Sequence, residues 1–105
     1  MNFLKPEHIN EKIPGIILLS HGPLAVSLIK TAQMIFGDNE NIAAFSLEAG
    51  DDLDKYRKAF TETIEAFPEN SVIFVDIFGG TPFNQLMRYI QESGKILEIV
   101  SGMNL

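Results

Sequence analysis

Cysteine is absent from this 105-residue chain, and histidine occurs only twice. Without cysteine there is no disulfide, no thiolate metal ligand and no thiol nucleophile, and the absence fits a cytosolic setting. Basic residues are scarce. Eight Lys and Arg against fourteen Asp and Glu give a formal net charge of −6, the wrong sign for a protein that grips a nucleic-acid backbone. Apolar runs are no longer than a strand, so none reads as a membrane-spanning helix. The opening Met1-Asn2-Phe3-Leu4-Lys5-Pro6-Glu7 lacks the apolar centre of a signal peptide. There is no internal repeat and no low-complexity segment. The 46% hydrophobic and 21% charged residues are those of an ordinary globular domain with a single core.

Residues 1–14 read as an N-terminal extension, polar and bracketed by Pro6 and Pro14, and 15–105 as one α/β domain. Residues 15–20 are apolar throughout, as in a strand covered on both faces. A helix follows over 23–36, with Pro23 in its first turn and Gly37 at its end. Leu24, Leu28, Ala32 and Ile35 form its expected core stripe, and Val26, Ile29 and Phe36 off that stripe point to burial from two sides. Ile42–Leu47 reads as a second strand. Asp51 or Asp52 caps the next helix, which runs to about Phe67 with Leu53, Tyr56, Phe60, Ile64 and Phe67 facing the core. Asp51 with Lys55, and Asp54 with Lys58, are spaced for surface ion pairs. Residues 72–76 form a third strand. Thr81 is the expected N-cap and Pro82 the first residue of a third helix closed by Gly94. A fourth strand covers 96–100. The Met and Phe residues at helical spacing read as core.

Strands alternating with helices imply right-handed crossovers and a parallel sheet. We therefore expect a doubly wound, four-stranded parallel sheet in the order 2-1-3-4, with helices on both faces. Strands one and three are then neighbours at the switch point where ligands bind.

His21 stands at the carboxyl end of the first strand and Asp76 at that of the third. In that order the two side chains come within hydrogen-bonding reach. A carboxylate beside an imidazole fixes which ring nitrogen carries the proton and stabilises the imidazolium once the other nitrogen reacts. Gly79 and Gly80 let the backbone approach a ligand, and Thr81 either caps its helix or donates its hydroxyl to an anion. Ser20 either caps its own turn or touches the same anion. A nucleophile, an orienting carboxylate and an anion cradle point to phosphoryl transfer through a phosphohistidine. No glycine-lysine loop of the Walker type is present, so a nucleoside triphosphate is not the expected direct donor. No metal or cofactor is expected. His8 reads as a solvated leader residue, and Ser101 and Gly102 as turn formers.

Two motifs carry a resemblance. Gly15-Ile16-Ile17-Leu18-Leu19-Ser20-His21-Gly22, with Leu28-Ile29-Lys30-Thr31-Ala32 after it, and Val75-Asp76-Ile77-Phe78-Gly79-Gly80-Thr81-Pro82-Phe83-Asn84 resemble the mannose-type enzyme IIA of the bacterial phosphoenolpyruvate-dependent sugar phosphotransferase system. Ser101-Gly102-Met103-Asn104-Leu105 looks like the turn after that family's fourth strand. The resemblance implies a cytoplasmic bacterial phosphotransferase component. His21 would be phosphorylated on Nε2, with Asp76 holding Nδ1. The donor would be the phosphohistidine carrier HPr and the acceptor a IIB subunit or domain, with membrane IIC and IID subunits served indirectly. The family forms a homodimer by exchanging a C-terminal strand. Family domains continue beyond Asn104 with elements this sequence does not contain, so the fourth strand is expected to present an open edge.

Two other readings use the same scaffold. One is a regulatory or partner-binding module impaired as a carrier. The other is a flavodoxin-like small-molecule binder, in which the His-Asp pair would have no role.

Overall fold

The computed structural model describes residues 2–37 and 40–102. In chain order the elements are β1 (Asn2–Leu4), β2 (Ile16–His21), α1 (Leu24–Phe36), β3 (Ile42–Leu47), α2 (Leu53–Ala66), β4 (Val72–Val75), α3 (Thr81–Ser93) and β5 (Glu98–Val100). They build one sheet in the order β1-β3-β2-β4-β5. β2 runs parallel to β3 and β4, and β4 parallel to β5. The four parallel strands thus stand in the expected order, with β2 and β4 adjacent at the switch point. The turn residues Met103-Asn104-Leu105 and the side chain of Phe36 lie outside the described residues.

The sheet has a fifth strand that the sequence pattern did not reveal. β1, in the leader, pairs antiparallel with β3, placing Phe3 opposite Phe45 and Leu4 opposite Ala44. Three residues are too few to show a period of two, and Pro6 ends the strand before one emerges. Successive strand side chains face opposite sides. Phe3 accordingly meets Phe45 and Tyr56, with ring centroids 5.0 and 6.4 Å apart, and Leu4 joins the cluster under α1. Further along the leader, buried Asn41 accepts from the Asn10 N–H at 2.7 Å and donates to the carbonyls of Asn10 and Ile13. That exchange ties the leader to the start of β3. The sheet is therefore mixed, not wholly parallel.

The two faces differ in depth. α2 and α3 cover one, over Ile17, Leu19, Phe45, Tyr56, Phe60, Ile73, Val75 and Leu86. α1 covers the other with the small cluster Ala25, Val26, Ile29 and Ala44. The α2 stripe lies as expected, except that Leu53 is 40% exposed. The α1 stripe does not. Ala25, Val26 and Ile29 face the sheet, while Leu28, Met34 and Ile35 are exposed. Ser27, Lys30 and Thr31, three and four residues apart, form an exposed polar side, and the face opposite them turns to the sheet. Here small residues let the helix sit close on Ala44. Arg57, not Lys58, pairs with Asp54 at 2.9 Å, and Asp51 accepts from the Glu48 N–H, in the turn preceding α2. β5 begins at Glu98, two residues later than expected, and Ile96 is almost wholly exposed.

Tyr56 links α2 to the sheet. Its hydroxyl, fully buried, donates to the Phe45 carbonyl at 2.7 Å. Burial, and after it the charge of Asp76, pushes this hydroxyl well above its ordinary value of 10.0. In the unfolded chain Tyr56 ionises near 10.0, whereas the folded chain holds the proton. The unfolded state then binds fewer protons, so stability falls as pH rises past that point, by ~1.4 kcal/mol per pH unit. Tyr56→Phe should cost about 1 kcal/mol at neutral pH for the lost hydrogen bond and should flatten the alkaline decline in urea-unfolding titrations. An unchanged alkaline slope in the variant would refute this account.

Candidate active site

β2 delivers His21 to the carboxyl edge of the sheet, and β4 delivers Asp76 beside it. Asp76 lies one residue beyond β4, and its own N–H still donates to the Leu19 carbonyl of β2 at 3.2 Å. Asp76 Oδ2 accepts from the backbone N–H of His21 at 2.8 Å and lies 3.0 Å from His21 Nδ1. Oδ1 accepts from the Ile77 N–H at 2.9 Å. One buried carboxylate thus holds both the backbone and the ring of His21. In a neutral imidazole, an ionised carboxylate at that distance favours the tautomer with the proton on Nδ1 and the lone pair on Nε2. The His21 side chain is 44% exposed against 8% for Asp76, so the carboxylate is sheltered while the ring remains within reach of a ligand.

Gly80 packs against the open edge of that ring. A Cβ built on it would lie 2.8 Å from His21 Cε1 and 3.6 Å from Nε2. The position must therefore lack a side chain if the imidazole is to keep its place. Gly79 contributes differently, because its φ of 80° is a left-handed conformation that favours glycine. Its carbonyl accepts from Asn84 Nδ2 at 3.1 Å, which fastens the turn to the first turn of α3. Asn84 belongs to the motif but showed no role in sequence. The contact arises only once the turn brings residues five apart together.

Two helix N-termini meet this edge, and they are occupied differently. At α1, Pro23 supplies no capping side chain. Instead the Ala25 N–H donates to Ser20 Oγ at 2.8 Å and the Val26 N–H to Ser46 Oγ at 3.3 Å. Of the two roles open to Ser20, capping is the one observed. The residue is fully buried. Ser46 was missed in sequence, although the parallel register sets it directly beside Ser20. At α3 the expected cap does not form. Gly80 occupies the N-cap position, Thr81 is already the first helical residue, and no side chain caps the helix. Pro82 has no N–H, and among the described residues the N–H groups of Thr81 and Phe83 find no acceptor in the protein. This N-terminus is left free for a negatively charged ligand.

An open cleft of about 650 Å³ adjoins His21, bordered by Gly22, Leu47, Glu48, Asp51, Leu53 and Thr81. A second cavity, about 490 Å³, opens between the ends of α2 and α3 at the opposite sheet edge and contains none of the expected site residues. His8 lies exposed in the leader. Among the described residues no group of three or more His, Asp or Glu side chains stands close enough to hold a metal ion.

Residues 15–105 match the family EIIA-man, the PTS system fructose IIA component. The chain belongs to this family. Among its relatives, the fructose-specific EIIA component of the phosphotransferase system of Bacillus subtilis is 32% identical over 93 residues, covering 87% of this chain and 63% of that protein. The mannose-specific EIIAB component of Escherichia coli is 28% identical over the same share of this chain and 28% of its own length. The chain thus spans under two thirds of the length of either relative. Among solved structures, a phosphotransferase component EIIA from Streptococcus agalactiae superposes with a TM-score of 0.76 at 26% identity, covering 88% of this chain and 71% of that one. The mannose/sorbose-specific IIA subunit of Enterococcus faecalis gives 0.65 at 33% identity, covering 88% and 70%. The family match begins at Gly15, so β1 lies outside it.

Gly80→Ala should force the His21 ring off its rotamer, at ~0.5–1.5 kcal/mol, and weaken the Nδ1–Asp76 bond. The His21 imidazole NMR signals should shift clearly. Ser20→Ala should instead lower stability by about 1 kcal/mol through the lost α1 cap and leave those signals in place. The reverse pattern would overturn the division of labour between Gly80 and Ser20.

Proposed function

We propose that this protein is a phosphocarrier in which His21 Nε2 accepts a phosphoryl group from the phosphohistidine of HPr and passes it to a IIB subunit or domain. That transfer would feed sugar uptake through membrane IIC and IID subunits. The observation that carries this reading is the Asp76 carboxylate on His21 Nδ1, set directly before an uncapped helix N-terminus. The membership of the chain in the IIA family supports it.

In the proposed step the Nε2 lone pair attacks phosphorus as the donor's nitrogen–phosphorus bond breaks, and the electron pair of that bond returns to the donor imidazole. Positive charge builds on the His21 ring. Asp76 offsets it at Nδ1 without taking the proton. The phosphoryl oxygens keep their negative charge throughout and turn toward the N–H groups of Thr81 and Phe83 and the Thr81 hydroxyl. Gly79 and Gly80 leave room for that approach. Ser20 contributes indirectly, by holding α1. The reading includes action in the bacterial cytoplasm and the homodimeric state implied by the resemblance.

Incubation with phosphorylated HPr should place an acid-labile phosphate on His21, detected by intact mass before and after acid treatment. His21→Ala should take up none. Asp76→Asn should keep the fold and slow uptake on the order of 10²-fold or more, since the carboxylate's charge is what steadies the imidazolium. A folded wild-type chain that takes no label would favour a regulatory module instead.

A further inference from the structure

The hydrogen-bond ladder of α3 starts one rung late. The Asn84 N–H donates to the Gly80 carbonyl at 2.8 Å, the link between residues four apart that an α-helix repeats. The preceding rung would join the Phe83 N–H to the Gly79 carbonyl. That rung is not made. Among the described residues the Phe83 N–H has no acceptor, and the Gly79 carbonyl accepts instead from Asn84 Nδ2 at 3.1 Å. Asn84 thus draws aside the carbonyl that would otherwise close the helix on its own N-terminus.

One dihedral separates the open arrangement from the closed one. Gly80 has a helical φ of −75°, and only its ψ of 174° is extended. Rotation to the helical ψ of about −42° would make Gly80 the first helical residue and bring the Gly79 carbonyl onto the Phe83 N–H. A glycine crosses between those regions more freely than any other residue. The rest of the turn is held without Asn84. The Gly80 N–H donates to the Ile77 carbonyl at 3.3 Å, the Ile77 N–H to Asp76 Oδ1 at 2.9 Å, and the rings of Phe78 and Phe83 lie 4.6 Å apart. Asn84 itself is exposed. Its amide therefore governs the direction of one carbonyl rather than the course of the chain.

We propose that Asn84 is a positioning residue that keeps the α3 N-terminus open, holding the Gly79 carbonyl away so that the Phe83 N–H stays free for the phosphoryl group. The inference rests on the reading of His21 as phosphoryl acceptor. Pro82 has no N–H, so a closed rung would leave the Thr81 N–H as the remaining donor of that first turn. It would also set the negative end of a carbonyl where the phosphoryl oxygens arrive. A side-chain amide suits the task, because it donates to the carbonyl and brings no net charge beside the anion. Asn84 acts through Gly79 and Phe83 and does not itself hold the phosphoryl group.

The experiment follows the Phe83 amide by hydrogen exchange and the labelling of His21, both in the full chain. In Asn84→Ala, exchange at the Phe83 N–H should slow about tenfold or more as it gains the Gly79 carbonyl. The maximal rate of labelling by phosphorylated HPr should fall about tenfold or more, with the half-saturating donor concentration within about twofold. Labelling by phosphoramidate, a small donor, should fall alongside. Asn84→Gln, which keeps a neutral donor, should recover most of both effects. A merely structural role would instead speed exchange at Phe83. Should Asn84→Ala fail to fold, Asn84→Leu, of similar shape and without a donor, decides by the same criteria. Unchanged or faster exchange at Phe83 overturns the inference, whatever the labelling rate. Slower exchange with unchanged labelling by both donors overturns it too, because the Phe83 N–H is then no part of the cradle. A wild-type chain labelled by neither donor overturns the acceptor reading, while the Phe83 exchange still decides whether Asn84 keeps that N–H open.

Discussion

The carboxylate of Asp76 is the point on which this sheet edge depends. It accepts two backbone N–H groups, from His21 and Ile77, and the ring nitrogen of His21. A nearly buried carboxylate is tolerated only when such donors replace water. The same contacts close the ends of β2 and β4 together, choose the histidine tautomer and start the turn that leads into α3. Strand pairing, side-chain chemistry and chain direction are thus set by one group. Its effect is local but decisive, because every element of the site leaves the sheet within a few residues of it.

The two helices that begin at this edge show how a fold distributes its unpaired N–H groups. At α1, serines from two neighbouring strands accept from the N–H groups of Ala25 and Val26. At α3, the N-cap is a glycine and the second helical residue a proline, so no side chain fills the place. The positive end of the α3 dipole consequently faces outward beside His21. The two N-termini on one edge thus differ: side chains cap that of α1, and none caps that of α3. Gly80 narrows the geometry further, since its missing Cβ is the space that the imidazole edge occupies.

Beneath the site the packing is asymmetric. The aromatic cluster of Phe3, Phe45, Tyr56 and Phe60 supports the sheet from the α2 side. Tyr56 adds a buried hydrogen bond to the β3 carbonyl of Phe45, and its hydroxyl lies within range of the Asp76 charge. The leader strand completes this cluster, so the segment preceding the family match contributes to the same core that carries the site. The α1 side is thinner, made of alanines with a few larger neighbours, and leaves Leu28, Met34 and Ile35 toward solvent.

The sequence by itself determined the alternation of strands and helices, the order of the four parallel strands and the pairing of His21 with Asp76. These follow from local patterns: continuous apolar runs, Gly and Pro at element ends, and the switch-point rule that makes the first and third parallel strands neighbours. Tertiary structure alone decided the rest. β1 is too short to carry a period and exists because Phe3 and Leu4 have β3 to pair with. The rotation of α1 differs from the stripe of Leu24, Leu28, Ala32 and Ile35: Ser27, Lys30 and Thr31 face solvent, and Ala25, Val26 and Ile29 pack toward Ala44. Ser20 and Thr81 both looked able to cap or to bind. The capping pattern emerged only when the register set Ser46 beside Ser20 and the tight Gly79-Gly80 turn moved the cap of α3 one residue earlier. A side chain's chemistry can be read from its identity, but which neighbour uses it depends on contacts between residues far apart in the chain.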